Sequence, residues 1–179
     1  MRRPPISAAA TATEAPPWFT YHDPTYGFTI DVPTTLSISG GQPPSDPNQP
    51  YQLAFGLNPS RAPSVPADQQ TLSQLGLIIQ ASRKALGACG VGTPVTIGGG
   101  VTAYETNNFA DVYTEVPGEP PPPNPILTVQ FVANGLYYRI DIGGLLPMPT
   151  FTQRYGDAVS HILASFRPGP QQAAGSPCA

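Results

Sequence analysis

The segment from Ile126 to Ile142, ILTVQFVANGLYYRIDI, constrains the fold most, because its turn and its apolar pattern demand the same strand register. Asn134-Gly135 is the dipeptide that most favours a two-residue type I′ hairpin turn. The turn predicts one apolar face built from Leu127, Val129, Phe131, Ala133, Leu136, Tyr138, Ile140 and Ile142. The other face then pairs Val132 with Tyr137, Gln130 with Arg139 and Thr128 with Asp141.

Other short runs with alternating apolar residues predict further strands. Phe28, Ile30 and Val32 alternate with polar residues, and the segment from Trp18 to Val32 predicts paired strands. Additional strands are expected at Leu36 and Ile38, from Tyr51 to Leu57, on both sides of Gly98–Gly100 as a hairpin, and from Phe109 to Glu115.

Two segments carry apolar residues at helical spacing. Leu72, Leu75, Ile79 and Leu86 predict a helix from Asp68, as its N-cap, to Leu86. A second helix is expected from Thr152 to Phe166, with Thr150 or Thr152 as the cap. Its apolar stripe consists of Tyr155, Ala158, Val159, Ile162 and Phe166.

These elements predict one α+β domain, an antiparallel β-sheet flanked by helices, over residues 18–168. The chain has 179 residues and 25 prolines, and the prolines concentrate in residues 1–17, in loop 40–50 and in loop 116–125. We therefore expect a flexible Ala/Thr/Pro-rich N-terminal stalk over 1–17 and a flexible C-terminal tail over 169–179.

Charge and hydropathy exclude some partners. The net charge is −3 and the basic residues are scattered, which argues against nucleic acid as a partner. No stretch approaches the ~20 apolar residues of a transmembrane helix. Stalks of this composition often follow an export signal or a lipid anchor, so we expect an extracytoplasmic protein, either secreted or anchored through a segment upstream.

Cys89 and Cys178 are the two cysteines. They lack the spacing of a zinc site, so no metal site is predicted for them. Two interpretations stay open at this point: a disulfide that ties the C-terminal tail to the domain, or two unrelated thiols.

Few residues suggest catalysis. His22 next to Asp23 lacks a third metal ligand in sequence, and His161 lies off the apolar stripe of its helix, as a solvated residue would. Asp111 and Glu115 share a strand face with Tyr113, and Glu105 lies upstream on the preceding strand. Acid–base chemistry, a calcium site or a polar outer face would each explain these carboxylates. Tyr104, Tyr113 and Tyr137 join them as candidate binding residues, since aromatic residues are enriched at interfaces.

Three sequence segments resemble the PsbP-like family, which includes the eukaryotic Mog proteins. They are TYHDPTYGFTIDVP, PVTIGGGVTAYET, and NGLYYRIDIGG followed by a helix that ends in HILASFRP. Together they span roughly residues 18–168. The tryptophan that usually follows the first proline in the family is absent from PTTLSI.

The resemblance implies an αβα sandwich and an accessory or binding role without catalysis, as in a bacterial exported protein or lipoprotein. We expect no cofactor and, as partner, another protein or a component of the cell envelope. The sequence leaves two alternatives: a hydrolytic enzyme that uses Asp111, Glu115 and His22, and a structural spacer domain.

Overall fold

The computed structural model describes residues 18–46, 49–57, 75–111, 123–143, 148–172 and 176–178. The predicted stalk and the residues Tyr113 and Glu115 lie outside these ranges. Among the described helices, none combines the length and the apolar character that a membrane span requires.

Nine strands and one α-helix make up the regular structure of the described residues. The strands are β1 (Trp18–His22), β2 (Thr29–Pro33), β3 (Leu36–Gly40), β4 (Tyr51–Leu57), β5 (Gly76–Ser82), β6 (Thr93–Thr96), β7 (Thr102–Asp111), β8 (Pro123–Ala133) and β9 (Leu136–Gly143). The helix α1 spans Met148–Ser165, and Gly98–Gly100 forms a single 3₁₀ turn between β6 and β7.

Seven of the strands form one antiparallel sheet in the order β3-β4-β5-β9-β8-β7-β6. Strands β1 and β2 pair with each other as a separate antiparallel ribbon. We call the face of the large sheet that packs on the core the inner face, and the opposite face the outward face.

The predicted hairpin is confirmed in every pair of its register. Ala133 faces Leu136 and Leu127 faces Ile142, with Gln130 opposite Arg139 on the outward face. Asn134 and Gly135 both have positive φ, 49° and 80°, as a type I′ turn requires. All eight predicted apolar residues of the inner face are buried.

The predicted helix from Asp68 to Leu86 is wrong in the part that the structure describes. Residues Gly76–Ser82 form β5, between β4 and β9 in the large sheet. Leu77, Ile79 and Ala81 face the core with no exposure, while Ile78 points outward and is 37% exposed. An apolar run in a central strand can match a helical stripe over a few residues, and here pairing with two neighbours decides the outcome.

This correction extends to the fold class. The predicted α+β arrangement, a sheet flanked by helices in an αβα sandwich, is wrong because the described residues are mostly β. The described residues contain a seven-stranded sheet, a two-stranded ribbon and one α-helix, and that helix packs against β2, β8 and the 3₁₀ turn. Tyr155, Ala158, Val159, Ile162 and Phe166 are buried as predicted. The helix begins at Met148, so Thr150 and Thr152 lie inside it instead of capping it.

The ribbon β1–β2 and helix α1 meet in an aromatic core beneath the large sheet. Phe28 stacks on Phe166 with ring centroids 5.7 Å apart, and Phe131 stacks on Tyr138 at 5.1 Å. Two backbone hydrogen bonds of 2.9 Å join Thr29 to Arg167 and so tie β2 to the residues that follow the helix.

The chain beyond residue 168 contacts the domain in its described part. The side-chain amide of Asn134 donates to the carbonyl of Gly169 at 2.6 Å, and the backbone N–H of Gln172 donates to the carbonyl of Asn134 at 2.9 Å. Gly169 lies so close to Tyr26 that a Cβ atom would fall 1.9 Å from the Tyr26 carbonyl oxygen. Only glycine fits this approach.

Candidate binding site on the outward face

Hydrogen-bonding side chains from five neighbouring strands form a row across the outward face. Arg139 on β9 faces Gln80 on β5 and Gln130 on β8, because each of these pairs shares a register position. The row continues to Gln52 on β4, opposite Gln80, and to Tyr104 on β7, opposite Gln130. Strand alternation places all five on the face opposite the core.

An ion pair lies near the middle of this face. Arg139 Nε donates to both carboxylate oxygens of Asp141, at 2.9 and 3.0 Å, and the hydroxyl of Thr128 donates to Asp141 Oδ1 at 2.7 Å. Asp141 is therefore held by two donors, and it lines one of the two recesses on the outward face.

The first recess, which we call the tyrosine recess, has a volume of about 340 Å³. This volume is at the lower end of the range typical of small-ligand sites. Its floor and walls include Thr102, Tyr104, Gln130, Val132 and Tyr137, and Cys89 and Cys178 line it as well.

Neutral hydrogen-bonding groups define the chemistry of the tyrosine recess. The hydroxyl of Tyr137 donates to Gln130 Oε1 at 2.6 Å. Burial raises the pKa of Tyr137, and the nearby charge of Arg139 lowers it by less, so the hydroxyl stays protonated at neutral pH. The amide nitrogen of Gln130 makes no hydrogen bond with any described residue and can donate to a ligand.

A disulfide joins Cys89 to Cys178 at the rim of this recess, with their Cα atoms 6.0 Å apart. It is the first of the two interpretations that the sequence leaves open for these cysteines. The loop after β5 passes over the recess: a Cβ atom on Gly87 would lie 3.3 Å from the Tyr137 hydroxyl and 3.5 Å from Gln130 Oε1. The disulfide thereby holds the C-terminal segment and this loop at one edge of the recess.

The second recess is apolar and has a volume of about 310 Å³. Small residues from three adjacent strands form its floor, namely Ala54, Gly56, Gly76 and Gly143, and Ile78 lines one side. A Cβ atom on Gly56 would meet nothing within 4 Å, so packing in the described structure does not require glycine there.

The structure brings together two of the predicted binding residues, Tyr104 and Tyr137, in the tyrosine recess. Asp111 ends the same strand seven residues beyond Tyr104, a distance of about 23 Å at 3.3 Å per residue, so the two do not share a site. Tyr113 and Glu115 lie outside the described residues. Glu105 is on the strand face opposite to Tyr104 and lines a recess with Asn107 and with residues of α1 between Thr152 and Ser160.

The carboxylate next to His22 is engaged in the turn between β1 and β2. Asp23 is buried and accepts hydrogen bonds from the backbone N–H groups of Thr25 and Tyr26, at 3.0 and 2.6 Å, and from the hydroxyl of Tyr51. His22 itself is exposed at the end of β1. Within the described ranges, no group of three or more His, Cys, Asp or Glu residues could hold a metal ion.

Sequence reasoning missed a histidine–carboxylate pair on the other side of the molecule. His161 Nε2 lies 3.0 Å from Asp31 Oδ2, and the imidazole stacks on Trp18 with ring centroids 4.3 Å apart. Asp31 Oδ1 also accepts from the hydroxyl of Thr20 at 2.7 Å. No local pattern could indicate this cluster, since 130 positions separate Asp31 from His161. It fastens β1 and β2 to the outer side of α1.

Comparison with known proteins leaves the chain without an assigned family. No family model matches it, and no curated protein is similar enough in sequence to be taken as a relative.

Proposed function

We propose that this chain is a non-catalytic binding or accessory domain that works outside the cytoplasm and contacts its partner through the tyrosine recess. The observation that carries the proposal is the grouping of Tyr104, Gln130 and Tyr137 in a recess on the outward face. These side chains offer aromatic surface and neutral hydrogen-bonding groups, the chemistry of a recognition site.

The chemistry of the recess suggests what it accepts. The amide N–H groups of Gln130, which donate to no described residue, suit a carbonyl or hydroxyl oxygen, while Tyr104 and Val132 offer apolar surface beside it. A side chain or a backbone segment of another protein, or a small group of a cell-envelope component, would satisfy both demands.

Two further points support an extracytoplasmic location. A disulfide that anchors the C-terminal segment suits an oxidising compartment, because cytosolic thiols are normally kept reduced. The resemblance of the sequence to the PsbP-like family points in the same direction, toward an exported bacterial protein or lipoprotein that serves as an accessory subunit. The hydrolase and spacer hypotheses stay as alternatives from the sequence.

Site-specific photo-cross-linking in the source cells tests the binding role. A photoreactive phenylalanine analogue at Tyr104 should give a discrete adduct. The same analogue at Asp157, which is exposed on α1, should give none. Substituting Gln130→Leu in the Tyr104 variant should weaken the adduct, because the side-chain amide is lost. Equal labelling from both positions, or none from Tyr104, would contradict the proposal.

The compartment is tested separately through the cysteines. Alkylation of whole cells with a thiol reagent, before and after reduction, should modify Cys89 and Cys178 only after reduction. Free thiols in freshly lysed cells would rule out the oxidising location while leaving the binding role to the cross-linking result.

A further inference from the structure

Strand β3 is an edge of the large sheet whose outer side meets no strand within the described ranges. It pairs with β4 alone, from Leu36 opposite Leu57 to Gly40 opposite Leu53. The strand has the sequence LSISG and contains neither a charged residue nor a proline. The opposite edge, β6, has the sequence TPVT, and its Pro94 cannot donate a hydrogen bond to a further strand.

The backbone directions of β3 follow from one hydrogen bond. The N–H of Gly41 donates to the carbonyl of Gln52 at 2.9 Å, so Gly41 turns its polar groups toward β4. In an antiparallel pair these directions alternate along the strand. Ser37 and Ser39 therefore also face β4, whereas Leu36 and Ile38 direct their N–H and C=O groups out of the sheet.

Ile38 combines this outward backbone with an exposed apolar side chain. It lies opposite Phe55 on the inner face, yet it is 47% exposed because no further strand of the described residues covers it. An uncharged edge whose outward backbone groups meet no described strand, and which exposes an isoleucine, is the kind of edge that soluble proteins normally protect.

We propose that β3 is an interaction edge and that its partner is β3 of a second copy of this chain, in antiparallel pairing about a two-fold axis at Ile38. This pairing places each Ile38 opposite the other and satisfies the outward N–H and C=O groups of both. It also continues the apolar inner face from one sheet into the next.

The neutral character of β3 favours a second copy as the occupant. About a two-fold axis at Ile38, Ser37 of one copy lies opposite Ser39 of the other, and Leu36 lies opposite Gly40. A charge at residue 38 or next to it would approach its like across the axis, and β3 carries none. This interaction edge is separate from the tyrosine recess and does not depend on the function proposed for it.

Sedimentation of the full, disulfide-bonded chain over a range of concentrations tests the proposal. The wild-type chain should form a dimer. The variant Ile38→Lys should raise the dissociation constant about tenfold or more, because it sets two ammonium groups against each other at the axis. The matched control Ile78→Lys introduces the same charge at a similarly exposed isoleucine of the central strand β5 and should leave the dissociation constant unchanged.

A cysteine variant provides a second readout that does not depend on how the lysine variant folds. In the proposed pair the two copies of residue 38 have Cα atoms about 5.5 Å apart, which is within the range for a disulfide. Mild oxidation of Ile38→Cys should yield a covalent dimer, and Ile78→Cys should not. A chain that stays monomeric up to millimolar concentration, or a dimer that both lysine variants leave intact, would overturn the proposal.

Discussion

The hydroxyl of Tyr51, in the second strand of the large sheet, donates a hydrogen bond to the buried carboxylate of Asp23, in the turn between β1 and β2. Tyr51 is only 1% exposed, and the two residues are 28 positions apart. This bond connects the ribbon β1–β2 to the large sheet at a point where water has little access.

Removing that hydroxyl should destabilise the fold. We expect Tyr51→Phe to lower the free energy of unfolding by about 1–3 kcal/mol, because a buried carboxylate loses one of its donors. Urea unfolding followed by circular dichroism measures this change. Tyr26→Phe is the matched control, since the Tyr26 ring packs against that of Tyr51 and its hydroxyl makes no hydrogen bond with a described residue. Equal losses in both variants would assign the effect to the loss of a hydroxyl at either position and not to the bond with Asp23.

Stability should fall at alkaline pH because of the buried tyrosines. Burial raises the pKa of Tyr51 and of Tyr138, and the carboxylate of Asp23 raises both further. Below about pH 10 the two hydroxyls are protonated in the folded and the unfolded chain alike, so the free energy of unfolding does not depend on them.

Above about pH 10 the unfolded chain releases protons that the folded chain keeps. The free energy of unfolding therefore decreases by up to about 1.4 kcal/mol per pH unit for each such group. Urea midpoints measured across this range should therefore decrease, and Tyr51→Phe should show a shallower decrease. A midpoint that stays constant or rises would contradict the expectation.

Loss of the disulfide should also cost stability. The Cys89–Cys178 bond closes a loop with a sequence separation of 89. We expect the double variant Cys89→Ser, Cys178→Ser to lose about 2–5 kcal/mol of unfolding free energy, mainly because its unfolded state is less constrained. Reducing agent should bring the wild-type chain to the level of this variant and leave the variant itself unchanged. A drop in the variant on reduction would show that the reagent acts elsewhere.

Thr35 offers a test in the stabilising direction. Its hydroxyl oxygen is buried and has no hydrogen-bond partner among the described residues. The isosteric substitution Thr35→Val should raise the free energy of unfolding by about 1 kcal/mol. In the wild-type chain, folding removes water from this hydroxyl and gives it no new hydrogen bond, and the valine variant avoids that cost. Thr34→Val is the control. Thr34 is engaged in an interaction, so this substitution should not raise the free energy of unfolding. Thermal unfolding of both variants decides the comparison.

The elements that depend on local pattern could be predicted from the residues alone. The hairpin about Asn134-Gly135, the paired strands from Trp18 onward and the apolar stripe of α1 each follow from short-range spacing or from one turn. The tyrosine recess could be predicted only in part. Gln130 opposite Arg139 follows from the hairpin, but Tyr104 opposite Gln130 depends on a pairing of β7 with β8 that no tight turn specifies.

The helix predicted over the residues of β5 is wrong for the same reason, since the outcome there depends on pairing with distant strands. The spacing of Leu75 and Ile79 fits a helix, while Leu77, Ile79 and Ala81 fit a strand, and local sequence does not choose between them. Placement between β4 and β9 decides, because a strand there satisfies its backbone on both sides and buries three side chains in the core.

Short-range information in this chain thus establishes the β-hairpins, the turn residues and the helix stripe, because two-residue turns and periodic side chains act over a few positions. Short-range information does not establish the order of strands in the large sheet, the contacts of Cys89 with Cys178 and of His161 with Asp31, or the recess between Tyr104 and Tyr137. These features bring together residues that are far apart in the chain, and only the packing of one shared core places such residues in contact.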